Sequence, residues 1–141
     1  MKFWDTSAII PLLIEEKLSK QVDEWFSADT SLVVWWGTSI ECVSAISRLE
    51  RESKLPVREA EEIIMRLSQL RHTWREIQPG AVVKQTAERI LRVHPLRPQD
   101  AQQLAACLIA NRDQTLEFIT LDERLEAAAQ KEGLRVLTAQ C

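Results

Sequence analysis

The 141-residue chain has few of the residues on which several common functional sites depend. With three glycines, it contains neither GxGxxG nor GxxxxGK[ST], the loops that cradle phosphates in nucleotide-binding proteins. Its cysteines, Cys42, Cys107 and Cys141, show no CxxC spacing, which argues against a zinc site and indicates reduced thiols in a cytosolic protein. His72 and His94 stand apart from any nucleophilic arrangement, and both are expected on the surface or in loops. Nucleotide-binding loops, zinc sites and covalent nucleophilic catalysis are therefore disfavoured.

Long apolar runs and a net positive charge are missing as well. No apolar run approaches the ~20 residues of a membrane helix, and the charged segment 1–5 does not match a signal peptide. We therefore expect a cytoplasmic chain with no membrane partner. The net charge of −3 argues against coating nucleic acid by bulk electrostatics, although it is compatible with a local cationic track. Length and composition predict one folded domain over residues 1–141.

Strand-like and helix-like segments alternate along the sequence. The continuously apolar run 31–36 is typical of a strand covered on both faces. The alternation predicts an α/β fold with a parallel sheet of about five short strands flanked by helices. The predicted strands are 2–4, 31–36, 73–78, 117–121 and 134–137. The first predicted helix begins near residue 6, and the others cover 19–26, 38–54, 56–70, 82–93, 99–110 and 122–131.

Four acidic residues, Asp5, Glu41, Asp100 and Asp122, lie where apolar segments give way to helix starts. In a parallel α/β sheet such points gather outside the carboxyl ends of the strands. Carboxylates that converge there repel each other unless a positive charge lies between them. Because hard cations such as Mg²⁺ take oxygen ligands, the pattern indicates metal-dependent phosphate chemistry.

Each acid also has a purely structural explanation. Segments 38–41 and 120–123 both match the S/T-x-x-E capping box, in which the acid only ties a helix start. Asp100 lies in a first helical turn, where a negative charge suits the helix dipole, and Asp5 could cap the first helix. Taken singly, helix capping remains the simpler interpretation of every one of these residues.

Three observations favour a joint role. Asp100 shares a helical stripe with Leu104 and Leu108, so it faces the core, where a charge needs a partner. Asp5 and Asp122 follow strand ends rather than random surface segments. On the predicted helices, no Lys or Arg lies three or four residues from Asp5, Glu41 or Asp100, so local ion pairs are not expected to explain them.

The ordered motifs resemble those of PIN domains, and among these the VapC-type toxins of bacterial toxin–antitoxin pairs. The matching segments are DTSA at 5–8, TSIECVSA around Glu41, LRPQDAQQLAACLIA around Asp100, and FITLDERLEAAAQKEGLRVL around Asp122. The resemblance covers nearly the whole chain. It implies a three-layer PIN-like nuclease domain and a Mg²⁺- or Mn²⁺-dependent endoribonuclease that hydrolyses RNA phosphodiester bonds. It also implies silencing by a cognate antitoxin, and a homodimer.

The resemblance also places the four acids at the site. Asp5 and Asp100 are the expected direct ligands, whereas Glu41 and Asp122 are expected to act through metal-bound water, because Mg²⁺ commonly keeps several waters.

Residues near the acids have candidate supporting roles. Thr6, Ser7 and Thr120 either cap helices or orient a carboxylate or a metal-bound water. The bulky pair Trp35 and Trp36 is expected in the core, with base stacking on single-stranded RNA as the alternative. The candidates for holding substrate phosphates are Arg48, Arg97 and Arg124.

Other functions remain open at this point. An RNA-processing nuclease of the same fold, without a toxin role, would have the same acids. A receiver-like signalling domain would show paired acids after the first strand and a Lys after a late strand, and neither is present. A PIN-like binding module without catalysis is disfavoured because all four acids are present.

Overall fold

The computed structural model describes residues 1–139, in which strands and helices alternate. The strands are β1 (Lys2–Trp4), β2 (Leu32–Trp35), β3 (Arg75–Ile77), β4 (Glu117–Ile119) and β5 (Arg135–Leu137). The helices are α1 (Thr6–Leu13), α2 (Ser19–Ala28), α3 (Thr38–Arg51), α4 (Val57–Arg71), α5 (Ala81–Val93), α6 (Pro98–Ala110) and α7 (Glu123–Lys131).

The five strands form one parallel sheet in the order β3-β2-β1-β4-β5. Phe3 at the centre is in register with Val33 of β2 and Phe118 of β4. The chain first builds outward from β1 through β2 to β3, and then crosses to the other side of β1 to form β4 and β5. The strand order therefore reverses between β1 and β4, which is where open α/β sheets form a ligand crevice.

Helices cover both faces of the sheet. Phe3 and Phe118 are fully buried on one face, in a core shared with helices α5 to α7. Trp4 and Ile119 are fully buried on the other face, in a core shared with α1 to α4. The prediction of a three-layer α/β fold with about five short parallel strands is confirmed.

The element boundaries differ from the predicted ones by at most three residues, and β1 matches its prediction. The helix predicted at 38–54 ends at Arg51, and the strand predicted at 117–121 ends at Ile119. The last long helix begins at Glu123, because Asp122 has an extended backbone (φ −90°, ψ 117°) and caps the helix from outside.

Two glycines meet requirements that other residues would not. A Cβ on Gly37 would lie 2.7 Å from Nε1 of Trp35, so glycine makes room for the buried indole at the end of β2. Gly133 has a φ of +87° and ends α7 as predicted, with Leu134 N donating to the carbonyl of Ala129 at 3.1 Å.

His94 lies in the loop after α5, which agrees with the expectation of a surface or loop position, but it is not on the surface. His72 is exposed, but His94 is buried, and its Nε2 lies 2.7 Å from Oε2 of Glu132. Arg89 donates to the same carboxylate at 2.9 Å. The partners lie on different helical segments, α5 and the end of α7, so local sequence gave no sign of the cluster.

Cys42 and Cys107 are free and buried, and Cys141 lies outside the described residues. Burial raises the pKa of the Cys42 thiol to about 12. None of the helices within residues 1–139 has the length and apolar character needed to cross a membrane.

Candidate active site

The four acids singled out in the sequence line one cleft of about 460 Å³. This acidic cleft, defined by Asp5, Glu41, Asp100 and Asp122, lies beyond the carboxyl ends of β1 and β4. Asp5 directly follows β1, and Asp122 comes three residues after the end of β4. The cleft therefore occupies the position at which the strand order reverses.

Each acid of the cleft lies at the N-terminus of a different helix. Asp5 caps α1 by accepting a hydrogen bond from Ser7 N at 3.3 Å, and Asp122 caps α7 by accepting one from Leu125 N at 2.9 Å. Helix N-termini carry partial positive charge, which offsets part of the repulsion among the carboxylates. For Asp5 and Asp122, the capping interpretation and the shared cleft are therefore both correct.

The capping-box interpretation fails for both segments that match its pattern, 38–41 and 120–123. The residue that caps α3 is Gly37, and no side chain closes that helix start. The carboxylate of Glu41 instead accepts a hydrogen bond from Gln103 at 3.1 Å. Thr120 lies before the cap of α7, and its hydroxyl is bonded to Asp5. Both segments match the capping-box sequence pattern but do not form its hydrogen bonds.

Asp5 is 3% exposed and is held from one side. Its Oδ2 accepts hydrogen bonds from Ser7 Oγ at 2.5 Å and Thr120 Oγ1 at 2.8 Å, in addition to Ser7 N. Ser7 Oγ in turn accepts from Leu121 N at 2.9 Å. Oδ1 receives no hydrogen bond from residues 1–139, which leaves this oxygen for a ligand in the cleft.

The buried carboxylates perturb one another. Burial raises the pKa of Asp5, hydrogen bonds from Ser7 and Thr120 oppose the rise, and the charge of Asp100 adds to it. Burial, followed by repulsion from Asp5, raises the pKa of Glu41 to about 7. Raised carboxyl pKa values in a cleft are typical of functional sites.

Basic side chains border the cleft, and one of them corrects an expectation. Arg97 caps α6, and its Nε donates to Oδ2 of Asp100 at 3.3 Å, so a local ion pair does exist. This ion pair was not expected because Arg97 lies just before the helix. Arg48 lines the acidic cleft itself, and Arg124 joins Arg97 in an adjacent cavity of about 510 Å³.

Gln103 is a polar residue of the site that the sequence analysis missed. It is fully buried on α6, one turn beyond Asp100. Its Nε2 donates to Thr6 Oγ1 at 3.0 Å, to Thr38 Oγ1 at 3.1 Å and to Glu41. The sequence signal that could have identified Gln103 is the presence of an amide on the same predicted core-facing stripe as Asp100.

The donor set suits a hard divalent cation, although it forms no closed cage. Within the described part of the chain, no three His, Cys, Asp or Glu side chains are gathered tightly enough to surround a metal ion. Mg²⁺ is usually bound through one or two carboxylates, with waters or substrate oxygens completing its shell. The free oxygen of Asp5 in a cleft with three more acids fits that mode of binding.

The two tryptophans at the end of β2 differ in exposure. Trp35 is 6% exposed and packs in the core, as expected, so it is not a stacking platform. Trp36 is 43% exposed and meets Trp35 edge-on. It does not line the acidic cleft, and stacking of a base on Trp36 stays a prediction.

Known structures share this fold. A toxin–antitoxin complex from Klebsiella pneumoniae superposes with a TM-score of 0.68 at 16% identity, covering 98% of this chain and 97% of that chain. FitAcB from Neisseria gonorrhoeae superposes with a TM-score of 0.68 at 17% identity, covering 98% of this chain and 97% of that chain. VapC20 of Mycobacterium tuberculosis, a sarcin–ricin loop cleaving toxin, superposes with a TM-score of 0.66 at 19% identity. The match covers 91% of this chain and 95% of that chain. At these identities the likeness shows the fold alone.

Sequence comparison gives the family. No curated protein sequence matches significantly. The family model of the PIN domain matches residues 2–131, which include all four acids of the cleft and every strand except β5. The chain therefore belongs to the PIN domain family.

Proposed function

We propose that the chain is a metal-dependent endoribonuclease that hydrolyses RNA phosphodiester bonds. The observation that carries the proposal is the convergence of Asp5, Glu41, Asp100 and Asp122 on one cleft at the point where the strand order reverses. Membership of the PIN domain family supports it. We also propose that residues 1–141 act as one domain, since the strands form one sheet.

The proposed cofactor is Mg²⁺ or Mn²⁺. Asp5 and Asp100 would hold the ion directly, and Glu41 and Asp122 would act on it through water. When bound, the divalent ion supplies activation of water and neutralises charge on the leaving oxygen. Ser7 and Thr120 keep Oδ2 of Asp5 occupied, which leaves Oδ1 as the oxygen available to the ion.

The basic residues around the cleft are proposed to hold substrate phosphates. Arg48 lies on the α3 side, and Arg97 and Arg124 lie on the α6 and α7 side. Phosphates flanking the scissile bond would meet these guanidinium groups while the bond itself lies over the acids. Such contacts position RNA without reading its sequence.

Cleavage of defined RNA tests the nuclease assignment. Protein purified from a nuclease-deficient host is incubated with an RNA hairpin carrying the sarcin–ricin loop sequence and with bacterial transfer RNA. We expect cleavage with Mg²⁺ or Mn²⁺, none with EDTA, and none for Asp5→Asn. Asp113→Asn, an exposed acid in the turn after α6, is the matched control and should cut like the parent. Equal cleavage by Asp5→Asn and the parent would refute the assignment.

We further propose that the nuclease is the toxin of a type II toxin–antitoxin pair. The similar structures include a toxin–antitoxin complex and a toxin that cleaves the sarcin–ricin loop. The proposed partner is a cognate antitoxin that covers the acidic cleft with a basic side chain, a charge pair that is strong once desolvated. The proposed assembly also includes a homodimer of the toxin, which light scattering of the purified protein measures.

Growth measurements separate the toxin from an RNA-processing nuclease. Expression of this chain alone should slow bacterial growth, and Asp5→Asn should not. Co-expression of the neighbouring gene should restore growth if that gene encodes the antitoxin. Soluble, active protein that leaves growth unchanged would favour the RNA-processing nuclease instead.

A further inference from the structure

Gln103 is a polar side chain enclosed within the otherwise apolar buried face of α6. It is 0% exposed, as are Leu104 and Cys107 on the same helix. Burying an amide costs free energy unless its hydrogen bonds are made. Leucine would fill a similar volume without that cost, so the amide at this position calls for a specific explanation.

The amide nitrogen of Gln103 joins three helices. It lies 3.0 Å from Thr6 Oγ1 on α1, and 3.1 Å from both Thr38 Oγ1 and Glu41 Oε2 on α3. An amide nitrogen carries two hydrogens, so three acceptors compete for them, and the ionised carboxylate is the strongest of the three. The structure has the nitrogen, rather than the oxygen, of Gln103 toward Glu41, which is the orientation that suits the ionised form of the carboxylate because that form only accepts.

The other end of the amide makes no compensating contact. Oε1 of Gln103 is buried and has no hydrogen-bond partner among residues 1–139. A side chain selected only to tie helices together would be expected to satisfy both of its polar ends. All the hydrogen bonds of this side chain are therefore made by its nitrogen, which is the atom that contacts Glu41 of the acidic cleft.

The contact fixes one oxygen of Glu41 from the protein side. Oε2 accepts from Gln103 at 3.1 Å, and a hydrogen bond from the side chain of Thr6 also lowers the pKa of this carboxyl. Asp5 is also held by neighbouring side chains, since its Oδ2 accepts hydrogen bonds from Ser7 and Thr120. Side chains of the protein thus anchor the carboxylates of both acids, and both residues line the cleft.

We infer that Gln103 is a positioning residue, which holds the carboxylate of Glu41 in place for cation binding and RNA cleavage. This role rests on the proposed nuclease function. It predicts that the effect of Gln103 passes through Glu41 and not through the stability of the fold. Partners of a ligand typically contribute about 10–100-fold to metal affinity or activity when they are lost.

A double-mutant cycle tests this role in the full chain. Gln103→Leu, Glu41→Gln and the double variant are compared with the parent by calorimetric titration of Mn²⁺, by cleavage of the sarcin–ricin hairpin and by thermal melts in EDTA. The control is Gln102→Leu, the same substitution at the exposed neighbour on α6. Gln103→Met gives a second apolar side chain if the leucine variant does not fold.

We expect Gln103→Leu to weaken Mn²⁺ binding and to lower kcat by about 10–100-fold, while Gln102→Leu matches the parent. In the Glu41→Gln background, adding Gln103→Leu should cause little further loss. Losses that multiply across the two backgrounds, or a leucine variant that binds Mn²⁺ and cuts RNA like the parent, would overturn the positioning role. A parent that binds Mn²⁺ but does not cut RNA refutes only the nuclease function, since the affinity cycle still decides the role in cation binding. A parent that binds no Mn²⁺ refutes both.

Discussion

The hydroxyl of Thr120 donates a 2.8 Å hydrogen bond to Oδ2 of Asp5, and this bond joins the ends of the two strands between which the strand order reverses. The two residues are 115 positions apart in the sequence. Because the hydroxyl favours the ionised carboxylate, the bond counteracts the effect of burial on the pKa of Asp5. Thr120 therefore limits the rise in the pKa of this deeply buried acid.

Replacement of Thr120 should shift the pH dependence of RNA cleavage. Thr120→Val keeps the side-chain shape and removes the hydrogen bond to Asp5, so the pKa of Asp5 should rise further. We expect the acidic limb of the kcat/KM profile to move to higher pH, with a stability loss of about 1 kcal/mol for the lost bond. A pH–rate profile that overlays that of the parent would show that Thr120 does not tune Asp5.

The stability of the metal-free protein should fall as the pH rises from 5 to 8. The pKa of Glu41 is about 7 in the folded protein, above its usual value of 4.5, so the folded state binds this proton more tightly. The associated stability is fully present below pH 4.5 and is lost as the pH rises through 7, by an amount on the order of 1–3 kcal/mol. Asp5, whose pKa is also raised, acts in the same direction.

Urea unfolding in EDTA at pH 5 and pH 8 measures this effect. The carboxyls of Asp29 and Glu132 have lowered pKa values, and their contributions change below pH 4.5, outside this window. Glu41→Gln should flatten the pH dependence, and saturating Mn²⁺ should reverse it, since a cation favours the ionised acids. A parent that is more stable at pH 8 than at pH 5 in EDTA would contradict the account.

Asp100→Asn should separate a shared metal site from a set of helix caps. Without metal, the variant should be as stable as the parent or more stable, because lost repulsion outweighs an exposed ion pair with Arg97 worth about 0–1 kcal/mol. Mn²⁺ should raise the Tm of the parent much more than that of the variant. If Asp100 were only a first-turn charge, the variant would lose about 0.3–1 kcal/mol and respond equally to Mn²⁺. Thermal melts of both proteins in EDTA and in Mn²⁺ distinguish the two outcomes.

The arginines around the cleft should contribute to RNA binding through phosphates. Arg48→Gln and Arg124→Gln should each weaken binding uniformly across sequences and reduce the log–log salt slope by about 0.7–0.9. Arg92 is an exposed residue on α5 outside the cleft, so Arg92→Gln is the control. It should leave the RNA affinity and the salt slope unchanged. Fluorescence anisotropy with a labelled RNA hairpin, in Ca²⁺ and at several salt concentrations, provides the measurement. Salt slopes that stay at the parent value would argue against phosphate contacts at these positions.

The fold could be predicted from the sequence because its signals are local. Apolar runs followed by helix starts mark β1, β2 and β4, and Gly133 marks the end of α7 through its positive φ. The same signals placed Asp5 and Asp122 at strand ends. The parallel sheet then brings them together without further information, since all its carboxyl ends meet at one edge.

The hydrogen bonds that hold the acids could not be predicted in this way. Gln103 meets Glu41 across 62 positions, and Thr120 meets Asp5 across 115, so neither pair leaves a local pattern. The capping-box motif gave a wrong prediction for α3 because it specifies only residue types at a fixed spacing. The helix actually starts after Gly37. The ion pair of Arg97 with Asp100 was not predicted because Arg97 lies one residue before its helix.

The most direct test of the account is the location of bound Mn²⁺ in crystals of the protein. Anomalous scattering from crystals grown with Mn²⁺ identifies the ion without reference to activity. We predict an anomalous peak in the acidic cleft, in contact with Asp5 and Asp100 and absent in Asp100→Asn crystals. A cleft without a peak at saturating Mn²⁺, in protein that still cuts RNA in a metal-dependent way, would contradict the claim that these acids hold the catalytic ion.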